Sequence, residues 1–560
     1  MKAVPLVVLC ALLLAVPSVW ANWAEDGVAL CTAMGYQRSP QITSDGAGGA
    51  IVTWEDHRGT SRDTYAQRVN ASGAVQWITD GVALCTATGD QTNLTIASDG
   101  AGGAIVAWQD QRSGDNDIYA QRVNASGVAQ WTTDGVAICA STGYQIFPAI
   151  ISDDAGGAII TWRDARNGLS NYDIYVQRVD ASGVVQWTTN GVAVCTAEGD
   201  QRDPTIASDG VSGAIVAWED GRSGNSDIYA QRVFASGDVG VSPNGVAICA
   251  ATGDQTWPTI TSDGAGGATF TWQDYRNSSN FSDIYAQRVN PSVAVQWEAD
   301  GVALCTASYF QQFPTIISDG VGGAIVTWED ARSGVATDIY AQRVDASGVV
   351  QWTTDGVAIC TATGGQPRPT IASDSAGGAI VTWMDYRSGS SNDIYAQRVN
   401  ASGTPQWTND GVALCTATWQ QYNPTITSDA AGGAIVTWED ERTVNPGIYG
   451  VRVDANGFPV LTGTDVPAAS VELRQNYPNP FNPTTTVSYS IPAKCHVTLE
   501  IYGISGMCVA RLVDTPQEKG SYEVEWSGKD GAGNSLASGV YFYQLTAGTQ
   551  TISRKMVLLR

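Results

Sequence analysis

An aspartate and an arginine two residues apart recur eight times along this sequence: Asp56/Arg58, Asp110/Arg112, Asp164/Arg166, Asp220/Arg222, Asp274/Arg276, Asp330/Arg332, Asp385/Arg387 and Asp440/Arg442. A second arginine follows each pair, at Arg68, Arg122, Arg178, Arg232, Arg288, Arg343, Arg398 and Arg452. A carboxylate and a guanidinium at fixed spacing can recognise sugars or acids, or can clasp one another and pin a loop. Eightfold repetition favours the clasp, since an active site needs one asymmetric constellation. Glu55, Glu219, Glu329 and Glu439 are likewise equivalent, so no pair of unequal carboxylates stands out for glycoside cleavage. With one histidine in the repeats, His57, no Ser/His/Asp or Cys/His set can be drawn. The expectation is that the chain is not an enzyme.

Eight cysteines occur once per repeat: Cys31, Cys85, Cys139, Cys195, Cys249, Cys305, Cys360 and Cys415. Equivalent points on neighbouring units lie beyond disulfide reach, and no second soft ligand repeats beside them. They read as free, buried thiols with no metal role. The Ser-Asp-Gly-x-Gly-Gly turns, such as Ser44–Gly49, carry one carboxylate each. That suits a turn-stabilising aspartate better than a calcium loop. No cofactor is expected.

Binding should sit where the copies diverge. The segment before each first strand holds a glutamine among variable, frequently aromatic neighbours. The candidate rim is Tyr36, Gln37, Tyr144, Gln145, Phe147, Gln255, Trp257, Phe310, Gln311, Phe313, Gln421 and Tyr422. Aromatics around glutamines suit stacking on sugar rings or gripping peptide side chains. The competing reading is packing between units.

These residues ride on one repeated element. The marker tryptophans Trp54, Trp108, Trp162, Trp218, Trp272, Trp328, Trp383 and Trp438 are spaced by 54 to 56 residues, the mark of a repeated supersecondary unit. Each copy predicts four strands: a Pro-Thr-Ile segment, Ala-Ile-Val-Thr-Trp, Asp-Ile-Tyr-Ala-Gln-Arg-Val, and Gln-Trp through Val-Ala-Leu-Cys. Four strands in about 50 residues suit a propeller blade. After residue 21 the chain opens on Asn22–Cys31, a fourth strand without its first three, and the eighth copy (Pro424–Gly457) lacks a fourth strand. The orphan completes the last copy and pairs two exposed edges, which argues for a closed ring over a solenoid. The predicted fold is all-β: an eight-bladed β-propeller over 22–460, closed by its N-terminal strand, and after a linker (461–470) a small Ig-like β-sandwich over 471–560.

Residues 1–21 carry a lysine, an apolar run and Val19-Trp20-Ala21, the pattern of a signal peptide. No later apolar run reaches the length of a membrane span. The net charge of −25 argues against nucleic acid and anionic membrane as partners. No lysine falls in 22–460, which excludes lysine-based covalent chemistry there.

Two resemblances follow. The repeats, with an Asp-Gly turn before an apolar strand and then Asp-Ile-Tyr, resemble TolB-type propeller blades. They are also similar to the Asp-box of sialidase-like propellers, whose spacing they do not keep. The tail resembles the C-terminal sorting domain of type IX secretion, itself similar to the Ig-like domain of flagellar hook-cap proteins. It does so through Gln475-Asn476-Tyr477-Pro478-Asn479-Pro480-Phe481-Asn482-Pro483, Gly503–Gly506, Gly539-Val540-Tyr541-Phe542-Tyr543 and Lys555–Arg560. That resemblance implies export, then outer-membrane translocation through secretion machinery acting on residues 471–560. The expected product is an extracellular or outer-membrane surface scaffold that binds a glycan or protein. The alternative is a propeller hydrolase or lyase acting on polysaccharide.

Overall fold

The computed structural model describes residues 23–240, 242–458, 471–491, 494–504, 506–517, 520–548 and 550–559. The expected signal peptide (1–21), the linker (461–470) and Val241 lie outside the described residues. The chain divides into two compact units, Met1–Leu461 and Thr462–Arg560. Among the described residues no helix is long and apolar enough to cross a membrane.

Among the described residues the first unit is all-β and repeats one four-stranded antiparallel sheet eight times. The first sheet comprises Gln37–Ser44, Ala50–Asp56, Asp63–Val69 and Val82–Cys85, in that order. The last comprises Gln421–Ser428, Ala434–Asp440 and Gly447–Val453, and its fourth member is the N-terminal strand Val28–Cys31. In that pairing Val28 lies opposite Gly450 and Cys31 opposite Ile448.

Second strands such as Ala50–Asp56 are buried along their whole length. Their continuous apolar sequence suits a strand covered on both faces. What covers them is the next sheet: Ile51 and Ala66 of the first pack with Ala104, Val106 and Trp108 of the second. Trp23, Leu30 and Cys31 pack in one cluster with Ala50, Val52 and Trp54 of the first sheet and with Ile435 and Ile448 of the last. First strands of consecutive sheets lie against one another, and Gln37–Ser44 also lies against Gln421–Ser428. Polar ties run between sheets as well. Trp77 Nε1 and Arg68 both donate to Ala125 O, at 3.1 and 3.0 Å. Trp23 Nε1 and Arg452 donate in the same way to Ala71 O, at 3.0 and 3.1 Å.

The fourth strand is shorter than the sequence predicts, with only Val82–Cys85 laddered in the first sheet. The Gln-Trp segment is held instead by local bonds: Gln76 N–H donates to Arg68 O (2.7 Å) and Trp77 N–H to Gln67 Oε1 (3.0 Å). A turn with left-handed Asp80 and Gly81 follows. Gly81 has no substitute, because a Cβ there would meet the Trp54 ring at 2.6 Å. The first strand of the seventh sheet is cut to Thr370–Ser373, since Pro367 has no N–H for the ladder.

The second unit has a three-stranded sheet (Glu472–Leu473, Thr485–Ile491, Gly520–Trp526) and a four-stranded sheet ordered Cys508–Gln517, Cys495–Gly503, Gly539–Ala547, Gln550–Leu558. Val487, Tyr489, Leu499, Ile501, Tyr543, Leu545, Met556 and Leu558 form one core. Cys495 and Cys508 are both free, near opposite ends of one strand pair (Cys495 opposite Gln517, Tyr502 opposite Cys508). The two most specific motif pieces are one physical object. Phe481 N–H donates to Val557 O (3.0 Å), Val557 N–H to Asn479 Oδ1 (2.8 Å), and Gln475 Nε2 to Lys555 O (2.7 Å).

Candidate ligand site

The repeated polar residues are committed to the framework. Asp56 accepts from Trp54 Nε1 (2.8 Å), from Arg58 N–H (3.0 Å) and twice from the Arg58 guanidinium (2.8 and 2.6 Å). Arg58 also donates to Asp80 O (2.8 Å) and to the Cys31 thiol (3.4 Å), and lies 3.8 Å over the Tyr65 ring. The loop after the second strand is thereby fastened to the turn before the fourth. The second arginine binds the Asp-Gly turn, with Arg68 donating to Asp45 Oδ2 (2.9 and 3.0 Å). Asp45 Oδ1 accepts two N–H groups of its own turn, at 2.8 Å each. The eight thiols are free and buried, and burial pushes Cys31 and Cys85 up to about 12 and raises their equivalents in the same way.

The glutamines of the expected rim do not reach it. Gln37, Gln145, Gln255, Gln311 and Gln421 are fully buried. Their amides donate to carbonyls of the turn just before them, as Gln255 does to Gly253 O (3.0 Å). In seven copies Oε1 is left without a partner among the described residues.

Two residues beyond each glutamine lies the position that sequence reading missed as a set. It holds Ser39, Asn93, Phe147, Asp203, Trp257, Phe313, Arg368 and Asn423. All eight adopt left-handed backbone, with φ between 46° and 62°. In seven of the sheets the ladder register shifts at this point, as between Arg38 and Gln41, a β-bulge that re-aims a side chain. A non-glycine residue in this region costs about 1–3 kcal/mol and must be held by its surroundings. The preceding sheet does the holding. Ser39 N–H donates to Glu439 (2.7 Å), Asn93 to Glu55 (2.9 Å), Phe147 to Gln109 (2.9 Å), Trp257 to Glu219 (2.6 Å), Phe313 to Gln273 (2.7 Å) and Arg368 to Glu329 (2.7 Å). Asp203 and Asn423 receive no such bond, because the preceding sheets carry Arg163 and Met384 there.

A cavity of about 560 Å³ opens where these first strands converge, lined from seven of the eight sheets. Its wall includes Ser39, Asn93, Asp203, Trp257, Phe313 and Arg368. Trp257 and Phe313 meet edge to face at 5.5 Å and remain 51% and 41% exposed. Phe147 is exposed at the equivalent point of the third sheet. Phe310 stands apart from this wall, edge to face with Phe281 at 4.9 Å. Tyr36 and Tyr144 are exposed and Tyr422 is half-buried.

One place in this wall breaks the symmetry. At two copies the variable side chain donates to its own sheet's second strand: Asn93 Nδ2 to Gln109 (2.6 Å) and Asn423 Nδ2 to Glu439 (2.8 Å). In the fourth sheet both partners are acids, Asp203 and Glu219. Burial first, and then the facing Asp203 carboxyl, push Glu219 up to about 7, against the lowering pull of the Trp257 N–H. Near neutral pH Glu219 therefore keeps its proton in part.

A family model described as the FlgD Ig-like domain matches residues 481–551. No curated protein matches the chain. Similar solved structures include PorZ, an essential bacterial surface component of the type-IX secretion system of Porphyromonas gingivalis (13% identity, 96% of this chain and 82% of that one, TM-score 0.30). Others are Penicillium chrysogenum alpha-L-arabinanase (11%, 58% and 99%, 0.32) and the polysaccharide lyase Uly1 (10%, 78% and 92%, 0.39). At these identities and TM-scores none carries an argument for a particular activity. The expectation that the chain is not an enzyme is nonetheless corrected. Two of these three are glycan-cleaving enzymes, and the supposed equivalence of the four glutamates fails at Glu219.

Proposed function

We propose that residues 22–460 form an eight-bladed propeller closed by its N-terminal strand, and that its variable inner cavity is an extracellular ligand socket. Closure is supported by the pairing of Val28–Cys31 with Gly447–Val453 and by the bonds from Trp23 and Arg452 to Ala71 O. One observation carries the socket: eight equivalent positions keep one strained backbone while their side chains range from serine to tryptophan to arginine. A framework so uniform has no packing need for that variety. Residues 471–560 act as the sorting domain that brings the chain to the cell surface. The Ig-like match and the stitching of Gln475–Phe481 onto the last strand support this role.

The socket is tested on glycan and peptide arrays with Trp257→Ala and Phe313→Ala. Loss of a wild-type signal with unchanged melting supports it, and retention of every signal sinks it. Deleting residues 477–560 should trap the protein in the periplasm; unchanged surface delivery removes the sorting role.

The unequal Asp203/Glu219 pair favours a second reading, cleavage of the bound polysaccharide with Glu219 as a proton donor near neutral pH. Release of new chain ends from a polysaccharide panel by the wild type but not by Glu219→Gln is the outcome this reading requires.

A further inference from the structure

The charge distribution around the cavity names a chemical class for its ligand, an inference that rests on the cavity being the socket. Sixteen arginines of residues 22–460 belong to the repeat and are spent on it. Five do not: Arg38, Arg62, Arg163, Arg202 and Arg368. All five, with His57, stand where first strands begin, second strands end and third strands begin, the end of the sheets that holds the cavity. Arg62 pairs with Glu55 (3.4 Å) and Asp90 (3.5 Å), and Arg202 pairs with Asp200. Arg163 stacks on Tyr172 at 3.7 Å, with its Nε buried and lacking an acceptor. Among the described residues no carboxylate lies in ion-pair reach of Arg38, Arg163 or Arg368.

Two of these unpaired guanidiniums face open volume. Arg368 lines the central cavity with Trp257 and Phe313, on a wall that also carries the carboxyls of Glu55 and Asp203. Arg38 lines a second cavity of about 430 Å³ with Tyr36, Glu55, His57 and Arg62. Glu55 belongs to both walls, so the two spaces adjoin. Its carboxylate is already engaged by Arg62 and by Asn93 N–H. The second space therefore presents Arg38 and His57 around an acid that is already held.

We propose that the adjoining cavities bind an acidic polysaccharide of the uronate class. Trp257 and Phe313 stack on sugar faces, Arg368 meets the carboxylate of one residue, and Arg38 with His57 meets that of a residue further along. A planar guanidinium fork matches a carboxylate in two parallel bonds. The chain's net charge of −25 opposes any anion at long range. That repulsion is screened beyond roughly 8 Å at physiological salt, whereas a guanidinium in contact is not. The exposed aromatic platform favours sugar over an acidic peptide.

The test is titration calorimetry of the exported chain with polygalacturonate and alginate fragments, the methyl ester of the former, neutral arabinan, and poly-glutamate. The acid fragments should bind, more weakly as salt rises, and esterification should weaken binding at least tenfold. Arg38→Ala and Arg368→Ala should each weaken the acid form about tenfold without lowering the melting temperature. An ester or arabinan bound as tightly as the acids overturns the acidic class and leaves the socket standing. Poly-glutamate bound more tightly than either acid glycan replaces the glycan with a peptide. Binding of neither acid glycan overturns the inference. Trp257→Ala matching wild type on every ligand that binds overturns the socket itself.

Discussion

Glu219 and Asp203 lie on two paired strands of the fourth sheet, and burial, joined by the Asp203 carboxyl, raises the Glu219 carboxyl. Where Asn93 and Asn423 stand, an amide donates to the second-strand side chain, and Asp203 has no amide to offer.

The raised Glu219 sets a pH dependence. Glu219 is raised from 4.5 to about 7 in the folded chain, so between those values the native state binds more protons than the unfolded one. The resulting stability is fully present below pH 4.5 and is lost as pH rises through 7, amounting to roughly 3 kcal/mol. Asp203→Asn should flatten this slope and stabilise the chain at pH 8. Denaturant unfolding of both proteins at pH 5 and pH 8 measures it; parallel slopes would disprove the influence of Asp203 on Glu219.

Met384 occupies the position from which Glu and Gln side chains of six other sheets support the next sheet's strained N–H. Met384→Gln gives Asn423 N–H an acceptor and should stabilise by about 1 kcal/mol. The reverse change, Gln109→Met, strips Phe147 N–H of its partner and should cost about 1–3 kcal/mol. Thermal melts of the two variants should shift in opposite directions.

Framework and wall should respond unequally to alanine. Asp274→Ala leaves the Trp272 indole and the Arg276 guanidinium without their shared acceptor, at a cost of about 3–5 kcal/mol. Trp257→Ala removes an exposed ring and should change stability by less than about 1 kcal/mol. Equal losses in chemical denaturation would mean that the wall aromatics are packing residues.

Removing residues 22–31 bares the edge of Gly447–Val453 and takes Trp23 from its bond to Ala71 O. Melting should fall and the chain should self-associate through the open edge. A peptide spanning residues 22–32, added in trans, should reverse both effects in light scattering and calorimetry. No response to truncation would remove the N-terminal strand from the fold's support.

The repeat, the strand order and the Asp–Arg clasp were legible in the sequence, because each rests on periodic chemistry that one copy explains for all. The short fourth strand was not, because Gln67 and its equivalents divert the preceding tryptophan N–H with a side-chain bond that periodicity does not show. At the left-handed positions the reading reached Phe147, Trp257 and Phe313 through their aromatic character but passed over Ser39, Asn93, Asp203, Arg368 and Asn423. Constancy of Gln37, Gln255 and the others drew attention to residues that are constant because they are buried. The usable signal was the reverse, a variable column two places later, ahead of proline in seven copies. Nothing in the sequence reported the left-handed backbone that turns that column toward the cavity.

The bonds that hold Ser39 or Trp257 in place attach to main-chain nitrogen and ignore what hangs from the α-carbon. A lineage built on this plan can alter its grip one codon at a time, each change nearly silent in the stability of the whole. Descendants of one gene can thus diverge in the face they present while keeping one unchanged framework.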